Sequence, residues 1–214
     1  MRGVVTLSAS YGARGDKVGR ALASRLGLPF IDRAIPTSAA ARQLGLPEDV
    51  GESLDEHTPG RWERLAARFA NAATPVGPEV LSSEVPLTPE RFASASKTQL
   101  EHVAETTGGV ILGRAGMVVL GGRPDVLCVR LDGPVEARIA QVAGLGLGID
   151  EDTARQGQRD VDGAREAYAR VFFNARQDDP RLYHVMLDST ALSPETCVDI
   201  IVRAAEHRLG AVAP

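Results

Sequence analysis

Residues Ser8–Ala23 read SASYGARGDKVGRALA, behind the apolar run GVVTL of residues 3–7 and ahead of a segment with helical periodicity. A buried strand, a glycine-rich turn and a helix in that order place several backbone N–H groups at a helix N-terminus, where the peptide dipoles also favour negative charge. Gly12 and Gly15 give the turn backbone freedom, and Gly19 would let the helix lie close to the sheet. The stretch therefore predicts an anion-facing loop at one end of an α/β sheet.

The full phosphate-loop pattern, G-x-x-x-x-G-K-[ST], adds a lysine for the outer phosphates and a hydroxyl for magnesium. No register of this stretch satisfies it. With Gly15 as the second glycine, Asp16 stands for the lysine and Lys17 for the hydroxyl residue; with Lys17 as the lysine, Asp16 stands for the glycine and Val18 for the hydroxyl. The chain holds 22 Arg and only two Lys, Lys17 and Lys97, so a lysine in this loop is locally unusual. Taken alone, the stretch also fits an ordinary strand–turn–helix link with Asp16 as the helix cap.

Outward from the loop, short apolar runs bounded by turn residues predict strands at 3–8, 29–32, 109–113, 125–132 and 183–189. Helical periodicity marks 17–26, 33–44, 60–73, 89–106, 134–143, 151–176 with a break, and 194–209. That alternation predicts a doubly wound, mainly parallel five-stranded sheet with helices on both faces. A chain of 214 residues with 43% hydrophobic residues has enough apolar side chains for one good core, so residues 1–214 form one domain. Within it, residues from about 47 to 101 carry several prolines and no strand and read as a helical insert. Residues from about 145 to 180 are dense in charge and read as a lid-like segment.

A net charge of −4 gives no general attraction to nucleic acid or anionic membrane, so a small anionic ligand in a local basic site is favoured over a polymer. Cys128 and Cys197 lie in apolar segments without metal-ligand spacing, and no apolar stretch approaches a signal sequence or a membrane span. These features read as a cytoplasmic protein with buried reduced thiols and no metal site. The four His show no partner pattern for a hydroxyl nucleophile.

In the segment DEDTARQGQRDVDGAREAYARVFFNARQDDP of residues 150–180, Arg155, Arg159, Arg165 and Arg176 surround Asp160 and Asp162, and Arg138 leads into it. Phosphoryl transfer needs groups that position the phosphates and neutralise their charge, which arginines on a closing lid would supply. A charge run of this kind also reads as a solvated helix face. Tyr168, Phe172 and Phe173 fall near helical spacing and read as core packing or a dimer contact, so a homodimer is allowed.

Four segments, LSASYGARGDKVGRALASRLGLPFID, GGVILGRAG, DVLCVRLDGPVEARI and LDSTALSPETCVDIIVRA, stand in an order and at separations that resemble the cytidylate kinase-like family. That family is related to the bacterial cytidylate kinases among the nucleoside monophosphate kinases. The resemblance implies a P-loop fold, with Gly12, Ala13, Arg14, Gly15, Asp16, Lys17 and Val18 as the phosphate loop. In that match Arg14 takes the place of the glycine before the lysine, Gly15 that of the lysine itself, and Lys17 that of the hydroxyl residue. Arg14 or Lys17 could bring a displaced cation over the phosphates. Asp32 and Arg114 match acceptor-binding positions, with Ala115 where cytidylate kinases carry an aspartate. Arg114, Arg138, Arg159 and Arg165 become the candidate catalytic cations, and Ser189 and Thr190 a strand end that could line the adenine pocket. The implied activity is transfer of the ATP γ-phosphoryl, with Mg2+ carried by the nucleotide, to a CMP-like nucleoside monophosphate or a related small acceptor. The alternative on the same fold is a catalytically impaired nucleotide sensor or an interaction protein.

Overall fold

The computed structural model of the chain describes residues 3–31 and 89–210. Asp32, the helical segments expected at 33–44 and 60–73, and most of the 47–101 insert lie outside the described residues. Five strands, β1 (Val4–Ala9), β2 (Phe30–Ile31), β3 (Gly109–Leu112), β4 (Val126–Asp132) and β5 (Val185–Asp188), form one sheet in the order β2-β3-β1-β4-β5. All the strand pairings are parallel, with Val4 opposite Gly109 on one side of β1 and opposite Val126 on the other.

Among the described residues six helices accompany the sheet: α1 (Gly15–Leu26), α2 (Pro89–Glu105), α3 (Gly116–Val119), α4 (Val135–Ala143), α5 (Glu151–Phe173) and α6 (Pro194–Leu209), with a 3-10 turn at Pro180–Leu182. Residues of α1 and α6 pack with Val5, Leu7, Val129 and Leu131 on one face. Residues of α2 and α3 pack with Val4, Ile111, Val126 and Cys128 on the other. Coverage on both faces is why β1 and β4 are nearly continuous apolar runs rather than alternating ones. Gly19 serves the first face: a Cβ there would stand 2.5 Å from Phe30 and 3.2 Å from Leu7.

Local sequence explains the ends of the helices. Ser193 caps α6 by accepting the Thr196 N–H at 3.1 Å, with Pro194 in the first turn. Asp150 caps α5 through the Thr153 N–H at 2.8 Å. The break expected in 151–176 is absent: α5 runs unbroken to Phe173 and stops at Asn174, left-handed at φ 48°. Gly157, within this helix, permits close approach, since a Cβ there would lie 2.9 Å from the Tyr11 hydroxyl. Helix α1 starts at Gly15, earlier than the expected Lys17, and the four-residue α3 has too few residues to show a period in the sequence.

At the amino-terminal end of β5, the His184 Nδ1 accepts the Cys128 N–H at 2.9 Å, and burial, helped by nearby Arg208, pushes the imidazole pKa below its usual value. The unfolded imidazole, at about 6.5, then binds more protons than the folded one. Stability is thus expected to be complete above about pH 6.5 and to decline as pH falls through the lowered folded value. Thermal melts between pH 7.5 and 5.5 should show this decline in the wild type and less of it in His184→Gln.

The helices following the neighbouring strands β1 and β3 lie on opposite faces, which in an open α/β sheet marks the carboxyl ends of these strands as the place for a ligand. The β1–α1 loop and the Gly113–Ala115 turn both follow these ends.

Candidate functional site

The loop of residues 10–14 turns the chain from β1 into α1. Gly12 is left-handed at φ 77°, and a Cβ on it would stand 2.5 Å from the Arg138 carbonyl oxygen, so both its conformation and its surroundings require glycine. Arg14 is also left-handed, at φ 55°, and forms the N-cap of α1 without a side-chain capping bond. Asp16, which the sequence allowed as the cap, instead accepts from Arg20 at 2.9 Å one turn further on. A left-handed non-glycine residue costs about 1–2 kcal/mol. Arg14→Gly is therefore expected to stabilise the protein by about 1 kcal/mol, read as a melting point about 2–4 °C higher.

The loop's backbone oxygens are taken up by protein donors. Arg165 NH1 of α5 donates to the Ala9 oxygen at 2.8 Å, Arg138 NH1 of α4 to that of Tyr11 at 2.8 Å, and Gln141 Nε2 of α4 to that of Gly12 at 2.7 Å. Ser189, just past β5, donates its hydroxyl to the Ala13 oxygen at 2.9 Å. The Ser10 and Arg14 oxygens receive the Ala13 and Val18 N–H groups, each at 3.0 Å. Asp162 Oδ1 takes the Tyr11 N–H at 2.8 Å, and Arg130 NH2 of β4 donates to the Ser10 hydroxyl at 2.9 Å. Among the described residues, the N–H groups of Gly12, Arg14, Gly15, Asp16 and Lys17 have no protein acceptor. The loop is thus held by its oxygens and leaves its donors open at the N-terminus of a 12-residue helix, an arrangement suited to phosphate oxygens.

Gly15 occupies the position matched to the lysine, and its surroundings explain the exchange. A Cβ on Gly15 would lie 2.5 Å from the Ala9 Cβ and 3.2 Å from Leu112. The space a lysine stem would need is filled by the methyl group of Ala9. Lys17, one of the two displaced-cation candidates, is exposed, and Arg14 is half-buried.

Behind the loop, five charged side chains alternate in sign. Arg130 pairs with Asp132 at 2.8 Å and Asp132 with Arg138 at 3.4 Å; Arg138 then pairs with Asp162 at 2.8 Å and Asp162 with Arg165 at 3.9 Å. Burial works against the Arg130 charge, but the Asp132 and Tyr183 partners more than offset it, so its pKa lies above the ordinary arginine value. Arg138 is 4% exposed and spends its donors on the loop, Gly133 and the two carboxylates.

The other candidates are spread around this centre. Arg114 sits between Gly113 at φ 81° and Ala115 at φ 51° and is itself at φ 59°, so three successive left-handed residues turn the chain beyond β3. Strain of this kind gathers where a backbone is held for function. Arg159 is exposed on α5 and donates to Gln156 at 3.0 Å. Tyr168 and Phe173, with ring centroids 5.7 Å apart, pack against the core on the α2–α3 face.

Sequence reasoning missed the work of Arg130, Asp132, Gln141, Asp162 and Ser189. One signal was legible: an arginine inside the apolar strand VLCVRLD must find a partner, because charged residues are seldom buried alone. Asp162 three residues before Arg165 was a second, weaker one.

A sequence model of the cytidylate kinase-like family matches residues 4–191 of the chain. Among solved structures, an uncharacterized protein from Eubacterium ventriosum ATCC 27560 superposes with a TM-score of 0.68 at 16% identity, covering 97% of this chain and 100% of its own. A sugar kinase from Janibacter sp. HTCC2649 gives 0.51 at 18% identity, with 100% and 99% covered. A gluconokinase from Sinorhizobium meliloti 1021 gives 0.51 at 15% identity, with 97% of each chain covered. At these identities the structures speak for a shared fold. No curated protein matches the chain significantly.

Proposed function

Since the chain belongs to the cytidylate kinase-like family, we propose that it is a nucleotide-dependent phosphotransferase whose 12–18 loop holds the phosphates of ATP. The observation that carries this reading is the division of the loop, with its oxygens tied to Arg165, Arg138, Gln141 and Ser189 and five N–H groups left without an acceptor among the described residues. Such a loop suits an anion and offers nothing to a cation.

The reaction is in-line transfer of the γ-phosphoryl. An acceptor phosphate oxygen forms the new P–O bond as the bond to the β-phosphate oxygen breaks. The acceptor is a CMP-like nucleoside monophosphate or a related small anion, with Arg114 at the β3 turn and Asp32 as its ligands. Arg159 and Arg165 of α5, a helix of the lid-like 145–180 segment, contribute charge as the transfer proceeds, while Arg138 keeps the loop in shape. Magnesium, when present, would screen the phosphate charge; Lys17 stands at the pattern's hydroxyl position, and no cluster of three His, Cys, Asp or Glu suited to a metal occurs among the described residues, so the nucleotide's own oxygens would hold it.

No helix among the described residues is long and apolar enough to cross a membrane. Titration calorimetry with ATP, with and without magnesium, tests donor binding, and a panel of nucleoside monophosphates and other small acceptors tests transfer through ADP release. Arg114→Ala and Arg159→Ala are each expected to lower turnover at least tenfold. Unchanged turnover in both would remove them from the mechanism. Saturable ATP binding without ADP release for any acceptor would favour the nucleotide sensor, a reading supported by the glycine at the lysine position.

A further inference from the structure

The phosphate loop lies at the carboxyl end of β1, but a second concave site opens at the amino-terminal ends of β4 and β5, against the last turns of α6. It is a cleft of about 740 Å³, within the size range of small-molecule sites. Leu127, Val185 and Ala204 give it an apolar lining, His184, His207 and Arg208 a basic one, and among the described residues no carboxylate lines it. We propose that this cleft is a second ligand site, separate from the phosphate loop, for a small organic anion with an apolar body.

The charge of the cleft supports the assignment. Two acids adjacent in sequence to its lining are already taken, Asp125 by Arg123 at 3.0 Å and Glu206 by Arg203 at 2.9 Å. Arg208 is not: its Nε donates to the Val126 oxygen at 2.6 Å and its NH2 to the Arg123 oxygen at 3.4 Å. Both acceptors are neutral carbonyls, so the guanidinium is anchored along one edge while, among the described residues, its charge has no carboxylate partner and its NH1 no acceptor.

A basic residue in the last turn of a helix is ordinarily explained by the helix dipole. That explanation does not cover this group, because Arg208 reaches away from α6 to the start of β4, and His184 belongs to no helix. The His184 Nδ1 is occupied by the Cys128 N–H at 2.9 Å, so the neutral ring carries its proton on Nε2 and offers the cleft a donor. A guanidinium and an imidazole N–H suit the oxygens of a carboxylate or a phosphate ester, and the three aliphatic side chains suit an apolar group beside that charge.

Gly122, which also lines the cleft, permits a direct block: a Cβ there meets nothing within 4 Å, and its backbone is not left-handed. The test follows the imidazole NMR signals of the full chain during titration with benzoate, phenyl phosphate and uncharged benzamide. It uses the wild type, Gly122→Leu, His207→Glu and Arg208→Gln, each checked by thermal melts. Benzoate, phenyl phosphate or both are expected to shift the His184 and His207 signals saturably, the tighter of the two naming the head group, with benzamide weaker by about tenfold or more. Each substitution should weaken the anion by about fivefold or more. Absence of a saturable shift with either anion, benzamide binding as tightly as benzoate, or wild-type affinity in both Gly122→Leu and His207→Glu would overturn the proposal. So would shifts confined to the Gly12 and Gly15 amides, which would place the anion at the phosphate loop instead. Should Arg208→Gln unfold through loss of its carbonyl contacts, Gly122→Leu and His207→Glu still decide, because both positions are exposed.

Discussion

Gly15→Lys, made alone, is expected to destabilise the protein by about 1–3 kcal/mol and not to create a working phosphate lysine, although it returns the loop toward the common pattern. The new Cβ would stand 2.5 Å from the Ala9 Cβ, and neither carbon can swing aside because each is fixed to backbone. Ala9 itself is 7% exposed at the end of β1, in a strand paired on both sides, so the strand cannot retreat. Adding Ala9→Gly removes the obstructing methyl group and should recover most of the loss, leaving the 3.2 Å approach to the Leu112 side chain as the remaining strain. Urea denaturation of the two single variants and the double gives a coupling energy, expected at about 1–2 kcal/mol. Additivity of the two substitutions would mean that the glycine is not dictated by the neighbouring alanine.

The second large effect is expected at Asp162. Its carboxylate takes the Tyr11 N–H at 2.8 Å, Arg138 at 2.8 Å and Gln158 at 3.0 Å, and it joins α5 to the loop. Asp162→Ala leaves a nearly buried guanidinium with reduced compensation and a loop N–H without its acceptor. Breaking a buried pair in this way costs about 3–5 kcal/mol. Here Arg138 retains Asp132 at 3.4 Å, which places the expected loss near 2–3 kcal/mol, or a melting point lower by about 5–10 °C. Asp162→Asn keeps an oxygen for Tyr11 and removes the charge, so it should lose less than the alanine variant. ATP affinity should fall in both, because the loop is no longer held open. Equal stability of Asp162→Ala and the wild type would show that the network contributes nothing to the fold.

The architecture was legible because it depends on local periodicity. Each expected strand is present within about two residues at either end, and the alternation of strands and helices gave the parallel sheet. The break expected within 151–176 is absent, and at Gly157 of that helix glycine shows a use that a sequence does not separate from freeing the backbone, namely making room for a neighbour. Here the neighbour is Tyr11, 146 positions earlier in the chain.

The candidate site was legible only in outline. Arg138 and Arg165 were found as cations near phosphate chemistry, but their acceptors are backbone oxygens of Tyr11 and Ala9, distant in sequence and carrying no residue-type signature. Ser189 drew notice as a strand end, whereas its hydroxyl reaches the Ala13 oxygen. Arg159, of the same residue type and on the same helix as Arg165, remains at the surface.

By itself the sequence determined the strand–loop–helix frame, the place of the loop within it and the departure from a lysine-bearing phosphate pattern, because these follow from hydrophobic periodicity and residue identity along a short stretch. Which side chains hold the loop, why position 15 cannot carry a stem, and which arginines reach Ala9 and Ser10 at its start were decided only in the tertiary structure. Those outcomes depend on steric exclusion at 2.5 Å and hydrogen bonds near 2.8 Å between segments that meet only when β1, β4, α4 and α5 are packed together.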